Sequence, residues 1–68
     1  MTELLFVVDE APEGGFVATA VGASIVTEAD DLAELRTAVR DAVRCHFEED
    51  QRPALIRLHV VRGEVLAA

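Results

Sequence analysis

Sixty-eight residues make one domain spanning positions 1–68, near the lower limit for folding without a disulfide or metal staple. The single cysteine, Cys45, excludes an intramolecular disulfide framework, and no Cys/His cluster with metal-binding spacing occurs. Thirteen acidic against six basic residues give a formal net charge of −7, which argues against direct nucleic-acid binding, since that requires clustered cations to displace phosphate counterions.

The first element is the apolar run Leu4 to Val8, which suits a strand in the middle of a sheet. Asp9 to Gly15 is turn chemistry, with Pro12 followed by the pair Gly14-Gly15, whose freedom at positive φ fits a hairpin reversal. Phe16 to Val21 reads as a second strand with Phe16, Ala18 and Ala20 on one face and Val17, Thr19 and Val21 on the other. Gly22 marks the next turn, and Ser24 to Glu28 reads as a third strand.

The helix has the sharpest signature. Asp31 followed by Glu34 is a capping-box pattern, and acidic residues at this end favour the positive pole of the helix dipole. Leu32, Leu35, Val39, Ala42, Val43 and Phe47 recur with the spacing of one buried stripe. With no Gly or Pro between Asp31 and Glu49, the pattern predicts a helix of about five turns. The acidic triplet Glu48-Glu49-Asp50 is unfavourable at the negative pole, where Arg44 and Arg52 can offset it, and Pro53 stops the helix. Leu55 to Val61 then alternates, with Ile56, Leu58 and Val60 on one face and Arg57 and His59 on the other, as in a half-buried fourth strand. Gly63 allows a bend before an apolar tail, Glu64 to Ala68, that either frays or joins a neighbouring sheet edge. The expected fold is therefore α+β, in the order β-β-β-α-β: an antiparallel meander sheet with one long helix packed on one face.

One helix covers only one face of such a sheet, and 51% hydrophobic residues exceed what a monomer of this size readily buries, so a homodimer or higher homo-oligomer is expected. No apolar run approaches the length of a membrane span, and Glu3 stands where a signal peptide would be basic, so the expected compartment is the cytoplasm, without a membrane partner.

Candidate chemistry is sparse. His46 falls on the apolar stripe near the helix C-terminus and reads as a packed histidine at the core edge rather than a proton donor or metal ligand. Cys45, about 100° away around the helix, cannot share a metal with it and has no visible base. Gly14-Gly15 leads into a strand, so it is no phosphate loop, and Asp9, Glu10 and Glu13 lack the spacing of a calcium loop. No catalytic residue, cofactor or metal site is expected. The candidate partner-contact residues are Arg36, Arg40 and Arg44, a like-charged diagonal along the helix, together with Arg57 and His59, a basic strip on the last strand.

Three stretches carry a family resemblance: Glu13-Gly14-Gly15-Phe16-Val17-Ala18, then Ile25 through Leu32 with its Thr27-to-Asp30 helix entry, then Leu35 and the helix to Phe47. In order and spacing they resemble the HicB antitoxin family, and especially its short solitary forms without a DNA-binding domain. The resemblance implies a partial ribonuclease-H-like fold without ribonuclease-H chemistry. It also implies a module that covers a small basic RNA-cleaving toxin of the HicA type. The alternative is a homo-oligomeric accessory or regulatory protein whose partner is unrelated to toxins.

Overall fold

The computed structural model of the chain describes residues 3–61 and 66–68. In chain order the elements are β1 (Glu3–Glu10), β2 (Phe16–Ala20), β3 (Val26–Ala29), α1 (Leu32–His46) and β4 (Leu55–Val61), with a single 3-10 turn at Glu49–Gln51 before β4. Gly63 and Glu64, and with them the expected bend and the start of the tail, lie outside the described residues. Leu66 is well exposed.

The first three strands are joined by two tight reversals. The Ala11 amide donates to the Gly15 carbonyl and the Gly14 amide to the Ala11 carbonyl, both at 3.0 Å, closing the β1–β2 hairpin. Gly15 takes a φ of +82°, and a β-carbon there would stand 2.7 Å from the Ala29 carbonyl oxygen. Both the backbone conformation and the close approach of β3 require glycine. At the second reversal the Ala20 amide donates to the Ile25 carbonyl, so Ser24 and Ile25 belong to the turn and β3 starts at Val26, later than the Ser24 start expected from composition. Ile25 is buried and anchors that turn to the core.

The sheet has the order β3-β2-β1-β4 and is mixed. β1 pairs with β2 and β2 with β3 antiparallel, but β4 pairs parallel to β1, with Leu4 opposite Ile56 and Phe6 opposite Leu58. This corrects the expected four-stranded antiparallel meander. The helix after β3 carries the chain back to the end of the sheet where β1 begins. The free side of β1 therefore receives β4 running in its own direction, and parallel neighbours need such a crossover connection.

The helix also differs in length. It spans fifteen residues, about four turns, and ends at His46 rather than Glu49. Phe47 turns extended while its amide still reaches the Val43 carbonyl. The acids that follow do not prolong the helix, because carboxylates oppose its negative end. Arg52 closes the exit, its guanidinium donating to the Arg44 carbonyl at 3.3 Å. At the other end the Asp31 carboxylate accepts the Glu34 amide at 2.7 Å, an N-cap as the sequence predicts.

Leu35, Val39 and Val43 from the helix meet Leu4, Phe6 and Val8 of β1, Ala18 and Ala20 of β2, and Ile25 to form the buried core. The alternation within β1 and β2 places these residues on one sheet face. Leu5, Val7, Val17, Thr19, Val26, Glu28, Leu55, Arg57, His59 and Val61 lie on the other, according to the strand registers. No described helix is long and apolar enough to cross a membrane.

Candidate functional site

Three surfaces result from this packing. The first is the end of the molecule at which β1 finishes, β2 starts, β3 finishes and the helix begins. Glu10 lies opposite Phe16, and Phe16 opposite Ala29, so the hairpin turn, the β3 terminus and the N-terminal helical turn converge there. Asp9, Glu10, Glu13, Glu28, Asp30, Asp31 and Glu34 are seven of the thirteen acidic residues, all placed at this end, and the sequence from Asp9 to Glu34 contains no basic residue. Glu13, Glu28, Asp30 and Glu34 rim a shallow concavity floored by Ala11, Ala29 and Ala38. This end has a strong negative potential, which attracts cationic partners and speeds their encounter.

The second surface is a groove between α1 and β4. The helix makes its closest backbone approach to β3 and β2, off the centre of the sheet. On the β4 side this leaves Ile56, Leu58 and Val60 half-buried, as the floor of a groove of about 380 Å³. Leu32 and Val39 form its apolar wall, and the exposed Arg36 and Arg40 stand along its rim. Among the described residues, neither guanidinium has a carboxylate within ion-pair distance.

The third surface is the sheet face turned away from the helix. Leu5, Val7 and Val17 are half-buried at its centre, while Val26 is 68% and Leu55 63% exposed toward its edges. Arg57 pairs here with Glu3, and His59 is exposed two residues further along β4.

The five residues predicted as partner contacts therefore do not form one site. Arg36 and Arg40 share the groove rim. Arg44 is exposed on the helix and bridges Asp41 at 3.6 Å, a pair in water that contributes little to stability. Arg57 and His59 face the opposite side of the sheet, because successive side chains of a strand point to opposite faces. His46 is exposed rather than packed at the core edge. The helix ends at this residue, and Phe47 takes the apolar contact, with the His46 ring edge-on to it at 4.8 Å. Cys45 is exposed as well. Among the described residues no group of three or more His, Cys, Asp or Glu side chains is arranged to hold a metal ion.

Sequence reasoning missed the acidic end as a shared surface and the groove as a concavity. The run of acids without a cation from Asp9 to Glu34 was a usable signal for the first. For the groove nothing in the sequence reports how far the helix lies from the sheet's centre.

Two relatives place the chain. A UPF0150 protein of Archaeoglobus fulgidus is 50% identical over 52 residues, covering 76% of this chain and 77% of the relative. The chain belongs to the UPF0150 family. A UPF0150 protein of Thermotoga maritima is 32% identical over 65 residues, 96% of this chain and 91% of that one, so the similarity runs through all the elements described. No family model matches the chain, and no solved structure gives a significant match. In this UPF0150 protein the candidate surfaces are thus an acidic end, a cation-rimmed apolar groove and an open apolar sheet face.

Proposed function

We propose that this UPF0150 protein is a non-catalytic binding module of the HicB-like kind, which binds and masks a small basic protein such as a HicA-type messenger-RNA-cleaving toxin. The observation that carries this reading is the acidic end, where the β1–β2 turn, the end of β3 and the helix start combine seven carboxylates free of interspersed cations. A basic RNA-cleaving enzyme presents cations to its substrate, and a surface of opposite sign competes for them. The β-β-β-α-β order and the Gly-Gly hairpin support a relation to the partial ribonuclease-H-like fold of that family. Mixing the chain with a HicA-type toxin tests the proposal directly. A complex on size exclusion together with loss of RNA cleavage is expected, and a triple charge reversal of Glu13, Glu28 and Glu34 should release the toxin. No complex, with cleavage undiminished, would reject it.

The second reading is a homo-oligomeric accessory or regulatory protein. It draws on the open sheet face, where Val26 and Leu55 are exposed toward the two edges and Leu5, Val7 and Val17 are half-buried between them. Recovery of a partner unrelated to toxins, bound to an oligomer that survives dilution, would favour it.

A further inference from the structure

The groove between α1 and β4 has two guanidinium groups on its rim and no anion to meet them. Side chains three and four positions apart on a helix are neighbours. Those positions are Leu32, Ala33, Val39 and Arg40 for Arg36, and Arg36, Thr37, Val43 and Arg44 for Arg40, so neither has an acid within reach along the helix. Asp41 is engaged by Arg44. Across the groove β4 offers only Ile56, Leu58 and Val60. Among the described residues no carboxylate lies within ion-pair distance of Arg36 or Arg40, in a chain whose net charge is −7. Like charges at this spacing repel, and an anion held between them turns that repulsion into attraction.

The groove is also polarised along its length. α1 begins at the end of the sheet where β1 finishes, and β4 runs parallel to β1, with Val60 opposite Val8 and Ile56 opposite Leu4. Leu32 therefore lies toward Val60 and Arg40 toward Ile56, about 12 Å apart along the helix axis. One half of the groove is purely aliphatic, and the cations stand over the other half. The acidic end of the molecule lies beyond the aliphatic half.

We propose that this groove binds a medium-chain fatty carboxylate, its head between Arg36 and Arg40 and its alkyl chain on the Leu58–Val60 floor, directed toward Leu32. The volume of about 380 Å³ falls in the range of small-molecule sites. The two oxygens of a carboxylate match the fork of a guanidinium, and the planar head can accept from both arginines at once. The lining has no aromatic ring and no polar side chain besides the two arginines. A polar group along the ligand's body would therefore go unpaired, which favours a plain alkyl chain. The negative potential of the acidic end opposes the reverse orientation. This site is separate from the acidic end, and the inference does not rest on the HicB-like reading.

The probe is octanoate, titrated into the isotope-labelled full chain and followed by the amide and methyl signals in NMR spectra. Saturable shifts are expected at Leu32, Val39, Leu58 and Val60, and none at Val17 or Val26 on the open face. Octylammonium, which has the same chain with the opposite charge, should bind about tenfold more weakly or not at all, and so should acetate, which has the head without the chain. The double variant Arg36→Gln/Arg40→Gln, checked by circular dichroism for an intact helix, should lose about tenfold in affinity for octanoate. Arg44→Gln should bind as the parent chain does, since Arg44 pairs with Asp41 and does not line the groove. No saturable shift would overturn the proposal. So would equal binding of octylammonium, an unchanged affinity in the double variant, or shifts centred on the open face. Groove signals that move with protein concentration in the absence of octanoate would assign the groove to a second copy and overturn it as well.

Discussion

Asp31 and Gly15 show how much single residues decide here. The Asp31 carboxylate satisfies one of the amide donors that a helix start leaves unpaired, and it does so at a solvent-exposed site where little else contributes. Asp31→Ala should therefore cost about 1 kcal/mol, read as a lower urea midpoint with the fold retained. Gly14 and Gly15 both take positive φ, but only Gly15 is also crowded, by the Ala29 carbonyl. Gly14→Ala should cost about 1–2 kcal/mol through backbone strain alone. Gly15→Ala should cost more, because β3 must also move. A thermal denaturation series that ranks the two substitutions in the opposite order would show that the turn does not have this geometry. The paired glycines were legible in the sequence as a turn. Which of them abuts the neighbouring strand was not, because that depends on where Ala29 comes to lie.

At the scale of elements, the helix stripe and the alternation of β4 were both readable, since each is a local periodicity imposed by 3.6 or 2 residues per repeat. Leu35 and Val39 lie fully buried on the predicted stripe. Leu35→Ala should destabilise by roughly 2–5 kcal/mol, with Val39→Ala costing less because fewer methyl groups are lost. An unchanged denaturation midpoint for Leu35→Ala would mean the helix presents another face. The helix ends a turn earlier than its composition suggests, for an energetic reason. Composition alone permits helix to Glu49, but the acids there oppose the helix's negative end, and Phe47 leaves the helical conformation. The histidine that periodicity placed on the packed face is consequently exposed.

For the whole molecule, charge and apolar surface are unevenly distributed: seven of the thirteen acids at one end, a cation-rimmed groove along β4, and a face on which Leu5, Val7, Val17, Val26 and Leu55 lie beside Arg57 and His59. A chain this small buries only about 60% of the surface its unfolded form exposes, so covering the open face with a second copy is an effective gain in stability. Sedimentation equilibrium should accordingly show a dimer. Val26→Glu or Leu55→Glu, each placing a carboxylate on that face, should shift it toward monomer while leaving the helix signal intact. A monomer at all concentrations would reject self-association through that face.

Local pattern determined the capped helix, its buried stripe, the Gly-Gly reversal and the two-sided character of β4, because each depends on neighbours within a few residues. Tertiary structure alone decided that β4 joins β1 in parallel, that the helix lies toward β3, and that Arg36 and Arg40 share a groove from which Arg57 and His59 are separated by the sheet. Those outcomes depend on which distant surfaces pack best, and no short-range periodicity encodes them.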